Sequence, residues 1–271
     1  MPRMRQLFPT AEEEIDPVQA YASDPREAPA DRPWLVLNMI SSLDGGTAID
    51  GVSGGLGGPA DREVFGAIRA MADVILVAAG TVRAERYGPP RLPEQRQRER
   101  VARGQSAQPR LAIVTSKIDL DLGTDLFTAS AIRPLILSTA QAPPDRLTEA
   151  ADVADVLTMG EHRVDLGAAL RVLRRDHGAA VVLCEGGPSL NGALVATSAV
   201  DELCLSLSNV LIGGDSARVA HGVTNGTGAS AVPTSMRLTR ILEHDSALFA
   251  RYVRDVRDVR PEVAPPNQTD Q

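Results

Sequence analysis

Aromatic residues and lysines are scarce in this chain of 271 residues. Phe, Trp and Tyr make up 3% of it, Lys117 is the only lysine, and the formal net charge at pH 7 is -7. A nucleic-acid-binding surface needs a positive field over phosphates and usually aromatic rings that stack on unpaired bases. The composition therefore argues against nucleic acid and favours a small-molecule partner. Because arginine supplies nearly all the positive charge, an anionic ligand would be held mainly by arginine side chains and backbone amides.

The chain also lacks the sequence marks of metal-binding and membrane-spanning proteins. Its two cysteines, Cys184 and Cys204, lie in apolar runs, without a CxxC motif or Cys and His residues at metal-ligand spacing. We expect both to pack in the core, and we expect no bound metal. No stretch approaches the roughly 20 apolar residues that a membrane helix needs, and no signal-peptide-like segment begins the chain. These absences predict a cytoplasmic protein that does not contact a membrane.

Short apolar runs alternate with amphipathic segments along the chain. The runs predict strands at 34–40, 74–79, 111–115, 134–139, 153–159 and 181–184. Apolar spacing and first-turn prolines predict helices, at 59–72, 166–175 and 188–199. This order is typical of an α/β fold with three layers, in which helices cover both faces of a mostly parallel central sheet. The C-terminal segments, 202–212 and 236–256, are expected to add antiparallel strands, the second folding back near residues 244–247.

Composition divides the chain into one domain and two terminal segments. Residues 32–256 are predicted to form the domain. Residues 1–31, rich in Glu, Asp, Pro and Ala, predict a partly ordered arm laid over it. Residues 257–271 predict a disordered tail. Inside the domain, residues 88–108 have the composition of a long surface loop, which in a compact domain is often functional or mobile.

The most informative motif is the stretch 181–192, Val-Val-Leu-Cys-Glu-Gly-Gly-Pro-Ser-Leu-Asn-Gly. A buried strand runs through two glycines into a helix that begins with Pro188, so free backbone amides point at whatever lies above the turn. This arrangement predicts a phosphate-binding turn. The alternative is a simple tight turn, for which one glycine would suffice. Glu185 favours the binding site, because ligands of open α/β sheets lie at the carboxyl ends of the strands.

Two further motifs follow predicted strands. Asp44 lies in the stretch 38–46, where small residues would let a flat ligand approach the backbone, although Asp-Gly is also a common turn. Thr81 follows the second strand in the stretch 78–85. Its hydroxyl would either cap a helix or bind a cofactor phosphate.

Taken together, four motifs resemble the reductase domain of riboflavin biosynthesis, which is akin to dihydrofolate reductase. They are Ser-Leu-Asp-Gly, Gly-Thr-Val-x-Ala-Glu, Cys-Glu-Gly-Gly-Pro-Ser-Leu-Asn and Val-Asp-Glu-Leu-Cys-Leu, and the resemblance covers residues 32–256. It implies a dihydrofolate-reductase-like fold, a homodimer and NADPH as hydride donor. It also implies a phosphorylated pyrimidine substrate, whose ribosylamino sugar is opened and reduced at C1′.

The resemblance also implies roles for individual residues. Asp44 and Glu185 would be the catalytic acids that face the reacting sugar and base. Cofactor contacts would come from Thr81, Glu85, Thr115, Ser116, Gly186, Gly187, Pro188, Ser189 and Leu190. Substrate contacts would come from Asn38, Arg69 and Arg91, with both arginines on the phosphate. Thr115-Ser116-Lys117 and nearby Arg110 are expected to receive the 2′-phosphate of NADPH.

Some residues depart from the family pattern. Many members carry Lys where this chain has Asn38 and a bulky segment where it has only Gly54-Gly55-Leu56-Gly57, and Glu85 replaces the usual Asp. These changes leave the choice open between a uracil, a diaminopyrimidinone and a pteridine substrate. The zinc deaminase often fused to this reductase has an H-x-E and P-C-x-x-C signature, which the sequence does not contain.

Three other interpretations were considered. Residues 51–55 match the G-x-S-x-G pattern of serine hydrolases, but little of a buried strand precedes Ser53. Residues 55–60 match a loose dinucleotide-binding fingerprint, but they follow a polar loop instead of a strand. A ligand-binding protein of the same fold without catalytic activity is the third alternative.

Overall fold

One eleven-stranded sheet organises residues 3–222 and 233–255, which the computed structural model describes. Its strand order is β2-β1-β10-β11-β9-β3-β8-β4-β5-β6-β7. The strands are β1 (Met4–Phe8), β2 (Glu12–Ile15), β3 (Trp34–Ser41), β4 (Val74–Ala78), β5 (Arg110–Val114), β6 (Leu135–Ser138), β7 (Asp155–Thr158), β8 (Val181–Cys184), β9 (Val200–Leu207), β10 (Met236–His244) and β11 (Ala247–Arg254). The helices are α1 (Pro17–Ala22), α2 (Pro59–Arg69), α3 (Ala79–Ala84), α4 (Glu94–Ala102), α5 (Asp125–Thr128), α6 (Pro144–Val153), α7 (Leu166–Arg175) and α8 (Pro188–Ala196).

Parallel strands form the centre of the sheet and antiparallel strands form one end. Strands β9, β3, β8, β4, β5, β6 and β7 pair in parallel, whereas β11, β10, β1 and β2 extend the sheet in antiparallel fashion beyond β9. The turn between β10 and β11 is made by Asp245 and Ser246, both with positive φ. The predicted α/β class and mostly parallel sheet are confirmed, as are antiparallel strands at the C-terminal end, β10 and β11, whereas β9 ends at Leu207 and pairs in antiparallel fashion only with β11, being parallel to β3.

Buried side chains form a hydrophobic core on each face of the sheet. Along β4, Ile75 and Val77 point into one core with α2, while Val74 and Leu76 point into the other with α7 and α8. This alternation follows from the two-residue period of a strand. Cys184 and Cys204 are free thiols buried in these cores, as expected, and burial raises the pKa of Cys184 to about 12. The three predicted layers are therefore present.

The predicted arm, residues 1–31, contributes two strands and a helix within its described part. Strand β1 pairs with β10, and α1 begins at Pro17 behind the capping carboxylate of Asp16. Arg26 donates two hydrogen bonds, at 3.0 and 2.8 Å, to the carboxylate of Glu202 on β9. Arg32 forms a second bidentate pair with Asp201. The arm is thus joined to the sheet by strand pairing and by the Arg26–Glu202 ion pair, and Arg32, the residue that follows it, adds a second ion pair; the polar composition did not reveal these contacts.

Glu202 is the centre of a buried ionic network. Its side chain is fully buried and accepts hydrogen bonds from Arg26, from Arg251 at 2.8 and 2.9 Å, and from the Trp34 indole at 3.0 Å. Burial alone would raise the pKa of Glu202, but the charges and hydrogen bonds of Arg26 and Arg251 lower it to about 2. Asp24 adds a second carboxylate beside Arg251, 3.2 Å from its Nε. The network joins the arm, β9 and the C-terminal hairpin.

The segment 88–108 is not the irregular loop that its composition predicted. It contains α4, whose Arg100 is fully buried and donates to the carbonyl oxygens of Ala70, Ala72 and Ser106. Burial lowers the pKa of the Arg100 guanidinium to about 10. By donating to carbonyl oxygens at the end of α2, Arg100 anchors α4 to the domain, although the rest of α4 is polar. The predicted tail, 257–271, and residue 256 of the predicted domain lie outside the described residues.

Candidate active site

A cavity of about 690 Å³ opens at the carboxyl ends of β3, β4, β8 and β9. This is the edge at which open parallel sheets bind ligands. Seven of the residues singled out from the sequence line it, namely Asn38, Thr81, Glu85, Glu185, Gly186, Gly187 and Pro188. The structure therefore brings three motifs, separated by up to about 150 residues of sequence, into one site.

The turn between β8 and α8 requires glycine at both of its central positions. Gly186 has φ +99° and Gly187 has φ +41°, conformations that L side chains rarely adopt. A Cβ on Gly187 would also lie 3.1 Å from both the Ala78 Cβ and the Thr81 Oγ1. The Gly187 N–H donates to Thr81 Oγ1 at 3.0 Å. Thr81 is thus a residue within α3 that holds the glycine turn, whereas the N-cap of α3 is Ala78.

The first turn of α8 presents backbone amides at this edge of the sheet. Pro188 occupies its first position and has no N–H, and Gly187 provides no side-chain cap. The amides of Ser189 and Leu190 precede the first intrahelical hydrogen bond, which Asn191 N donates to the Gly187 carbonyl at 2.9 Å. Leu190 itself is a core residue, so only its backbone can serve a ligand.

Glu85 organises the glycine-rich loop at the cavity mouth. Its Oε1 accepts a hydrogen bond from the Ser53 backbone N–H at 2.7 Å. Ser53 follows a short turn closed by the Ile49 and Val52 backbones, not a buried strand. The strained strand-to-helix elbow of a serine hydrolase is therefore absent at this serine.

Glu185 and Arg69 form a bidentate ion pair beside the cavity. The Arg69 Nε and Nη2 each donate at 2.7 Å to the Glu185 carboxylate, and Nη2 also donates to the Tyr87 hydroxyl at 2.8 Å. The guanidinium lies 4.2 Å from the Phe65 ring centroid. Glu185 is 2% exposed and Arg69 is 19% exposed. Two of the three guanidinium nitrogens of Arg69 are thus engaged within the protein.

A second cavity of about 310 Å³ adjoins the first. Both cavities are lined by Ser53, Phe65, Thr81, Glu85 and Glu185, and the smaller one also by Arg69, Arg86 and Tyr87. Because Glu185 borders both, its carboxylate lies where two bound molecules, or two parts of one, would meet.

Asp44 lies in a different place from Glu185. It is exposed, and it is not among the residues that line either described cavity. Its carboxylate accepts hydrogen bonds from the Ser42 hydroxyl at 2.5 Å and from the Gly213 and Ile212 amides at 2.7 and 3.3 Å. These hydrogen bonds, that of Ser42 foremost, lower the pKa of Asp44 to about 2. In this structure Asp44 joins the loop after β3 to the loop after β9.

Thr115, Ser116 and Arg91, which were also predicted to bind ligands, line neither cavity. Thr115 is buried at the end of β5, where its Oγ1 accepts from the Ile118 amide at 3.0 Å, and Ser116 is exposed beside it. Arg91 is exposed on the segment before α4 and lines neither cavity. All three could reach the cavity only through an extended ligand or a movement of the chain.

Arg110 cannot share a phosphate site with Thr115. It is the first residue of β5, so it lies at the opposite edge of the sheet, about 16 Å from Thr115 at about 3.3 Å per residue. Its guanidinium is paired with Asp155 and donates to the Arg133 carbonyl at 2.8 Å. The expectation that Arg110 receives a cofactor phosphate is wrong, because proximity in sequence along a strand is not proximity to its carboxyl end.

Several residues that line the larger cavity were not predicted from the sequence. Asp61, Arg62 and Phe65 come from α2, and a strap, defined as residues 215–219, contributes Asp215, Ser216, Ala217 and Val219. The strap is held by Thr47, whose backbone N–H and hydroxyl donate to the Ala217 carbonyl at 3.2 and 2.9 Å. Burial raises the pKa of Asp61. One feature of the sequence could have indicated them: α2 begins directly after a glycine-rich loop, and helix N-termini in that setting commonly bind ligands.

No group of three or more His, Cys, Asp or Glu side chains suited to a metal ion occurs in residues 3–222 and 233–255. Over the same ranges, no helix has the length and apolar character needed to cross a membrane.

The chain is similar to known reductases over most of its length. The family model described as the RibD C-terminal domain matches residues 33–248. The 2,5-diamino-6-ribosylamino-4(3H)-pyrimidinone 5′-phosphate reductase of Archaeoglobus fulgidus is 31% identical over 200 residues, which are 70% of this chain and 87% of the relative. The protein of the same name from Methanothermobacter thermautotrophicus is 29% identical over 210 residues, 76% of this chain and 90% of the relative. A pyrimidine reductase-like protein of Corynebacterium diphtheriae has a similar fold, with a TM-score of 0.79, 24% identity and coverage of 89% and 99%.

Proposed function

The chain belongs to the family of RibD C-terminal domains, and we propose that it reduces a ribosylaminopyrimidinone 5′-phosphate with NADPH as the hydride donor. The observation that carries this proposal is the meeting of the glycine turn at Gly186 and Gly187 with the buried Glu185 carboxylate in one cavity at the ligand-binding edge of the sheet. The two archaeal relatives named above supply the substrate class.

The residues around the glycine turn fit a dinucleotide cofactor. A Cβ on Gly187 would crowd Thr81, so this position has no side chain and a ligand can approach the backbone. The backbone amides of Ser189 and Leu190, at the start of α8, would donate hydrogen bonds to a phosphate. Gly186, Pro188 and Glu85 border the same part of the cavity, and Thr115 and Ser116 extend the edge towards β5. When bound, the nicotinamide supplies a hydride to an electrophilic carbon. NADPH is the proposed form.

The protein's contribution would be positioning and proton management. Glu185 borders both cavities, and its pairing with Arg69 fixes the orientation of the carboxylate. We assign to Glu185 the acid that holds or relays the proton accompanying the hydride. Asp44 was the other candidate from the sequence, and its three hydrogen bonds to neighbouring loops support a role in shaping the loop after β3 instead.

The substrate would occupy the part of the larger cavity between β3 and α2. Asn38 on β3 is 9% exposed and presents an amide there in place of a cation. Arg62 on α2 and Arg86 beside the smaller cavity are exposed cations available to a phosphate, as is Arg91 if its segment moves. Because Nε and Nη2 of Arg69 already donate within the protein, only its Nη1 would be left to bind the phosphate.

The decisive experiment is NADPH oxidation against three compounds. These are the 2,5-diaminopyrimidinone ribosylamino phosphate, its 5-aminouracil counterpart and a dihydropterin. We expect turnover of a ribosylaminopyrimidine phosphate, a loss of at least about tenfold in kcat for Glu185→Gln, and weaker binding of NADH than of NADPH in a fluorescence titration. NADPH binding without turnover of any compound would instead support a non-catalytic protein, and turnover of the pterin alone would support a pteridine reductase.

A further inference from the structure

The side chain of Asp61 lies in the wall of the larger cavity at the third position of α2. Gly57 makes room for it, since a Cβ at that position would lie 2.5 Å from the Asp61 Oδ2. Ser206 on β9 also lines the cavity, and hydrogen bonding with its side chain lowers the pKa of Asp61, against the larger effect of burial. Asp61 therefore lies in the cavity wall beside the loop before α2 and near the end of β9.

Glu185 and Asp61, two of the four acidic residues that line the cavity, differ in how their charges are compensated. Glu185 is paired in bidentate fashion with Arg69. Asp61 forms no ion pair within residues 3–222 and 233–255, and the charge of Arg62 is the smallest of three influences on it. A carboxylate has about four acceptor positions, and a single hydroxyl such as that of Ser206 can fill at most one of them. Asp61 thus keeps acceptor capacity for a bound ligand.

Stabilising the start of α2 would not by itself explain this placement. An acidic residue in the first turn of a helix stabilises that helix by about 0.3 to 1 kcal/mol when its side chain is exposed to water. Asp61 is instead partly removed from water, and burial, the largest influence, raises its pKa. Burying a carboxylate without a paired charge is unfavourable, and N–H donors from a bound ligand would offset this penalty.

We propose that Asp61 selects substrates whose pyrimidine ring presents two adjacent N–H donors, so that a 2-aminopyrimidin-4-one is preferred over a uracil. This inference rests on the proposed function. In the 2-amino ring, N3–H and the amino group lie side by side and match the two oxygens of a carboxylate. In uracil, carbonyl oxygens flank N3–H on both sides, so the second carboxylate oxygen would face another acceptor.

Asp61→Asn tests the proposal with little change in shape. An amide presents one acceptor and one donor, which match N3–H and an adjacent carbonyl of uracil. We expect the ratio of kcat/KM for the diaminopyrimidinone to kcat/KM for the uracil to fall at least about tenfold, which corresponds to about 1.4 kcal/mol. Equilibrium dissociation constants of the two pyrimidines, measured by calorimetry without cofactor, should shift in the same direction.

The control is Asp145→Asn, which also removes a carboxylate from a first helical turn, in α6, at a position outside both cavities. It should leave the ratio unchanged. If Asp61→Asn does not fold, Asp61→Ser is measured against the same criterion. Equal losses on both pyrimidines, or an unchanged ratio, would overturn the proposal while the reductase function stands. If the unaltered protein reduces neither pyrimidine, the proposed function itself fails.

Discussion

Replacing Arg69 by Met separates a positioning role for this arginine from a phosphate-binding role. Met keeps much of the side-chain volume and removes the guanidinium, which leaves the Glu185 carboxylate, 2% exposed, without its cation. Removing one partner of a buried pair costs about 3 to 5 kcal/mol. Because Arg69 is 19% exposed, we expect the lower end, about 3 kcal/mol. For a chain of this size that is a decrease in Tm of about 6 to 12 °C.

The kinetic expectation follows from the same contact. A displaced Glu185 affects proton management for every substrate, so kcat/KM should fall by a similar factor for the phosphorylated pyrimidine and its dephosphorylated analogue. A double-mutant cycle with Glu185→Gln should show coupling, with the double variant losing less stability than the two single variants combined. Arg98→Met, which removes an exposed arginine that lines neither cavity, serves as the control for loss of a cation.

The opposite outcome would refute this reasoning. If Arg69→Met melts like the unaltered protein and loses at least about tenfold in kcat/KM only with the phosphorylated substrate, Arg69 binds the phosphate, as the family resemblance implied.

Three other expectations concern the turn, the ionic network and the assembly. Thr81→Val removes the acceptor of the Gly187 N–H and should weaken NADPH binding about two- to tenfold in a fluorescence titration; unchanged affinity would mean that the turn forms without it. The folded-state pKa of Glu202, about 2, lies below its ordinary value of 4.5, so its stabilisation is present above about pH 4.5 and is lost as the pH falls towards 2. The free energy of unfolding, measured by denaturant titration at pH 7 and pH 3, should depend less on pH in Glu202→Gln than in the unaltered protein. An equal dependence in both would mean that other groups cause the acid sensitivity. Leu43 and Leu211 are 53% and 73% exposed on adjoining loops, and we predict a homodimer by light scattering that Leu211→Ser weakens; a monomer mass at micromolar concentration would contradict it.

A valine at Gly187 is a poorer test of the cofactor turn than a valine at Thr81. Gly187→Val would fill space where a cofactor approaches, but its Cβ would first meet Ala78 and Thr81 at 3.1 Å in a backbone conformation that suits glycine. Lost binding in that variant would reflect a strained fold as much as a blocked site. Thr81→Val changes the same turn without that strain.

The sequence by itself determined the elements whose causes are local. Helix α7 and strand β8 have the bounds that apolar periodicity predicted, and Gly186, Gly187 and Pro188 specify the turn into α8 through their own backbone preferences. Because ligands of open parallel sheets lie at the carboxyl ends of the strands, the position of Glu185 after β8 indicated the edge at which the cavity lies.

Only the tertiary structure decided the partners of the charged side chains. Arg26 reaches Glu202 across 176 residues, Arg69 reaches Glu185 across 116, and Arg100 folds a polar segment into α4 by capping carbonyls about 30 residues away. Asp61 gains its importance from a glycine before it and a serine on β9. Hydrophobic periodicity records which face of an element is buried, but it carries no information about which distant charge will lie opposite, because that depends on how the whole sheet is assembled.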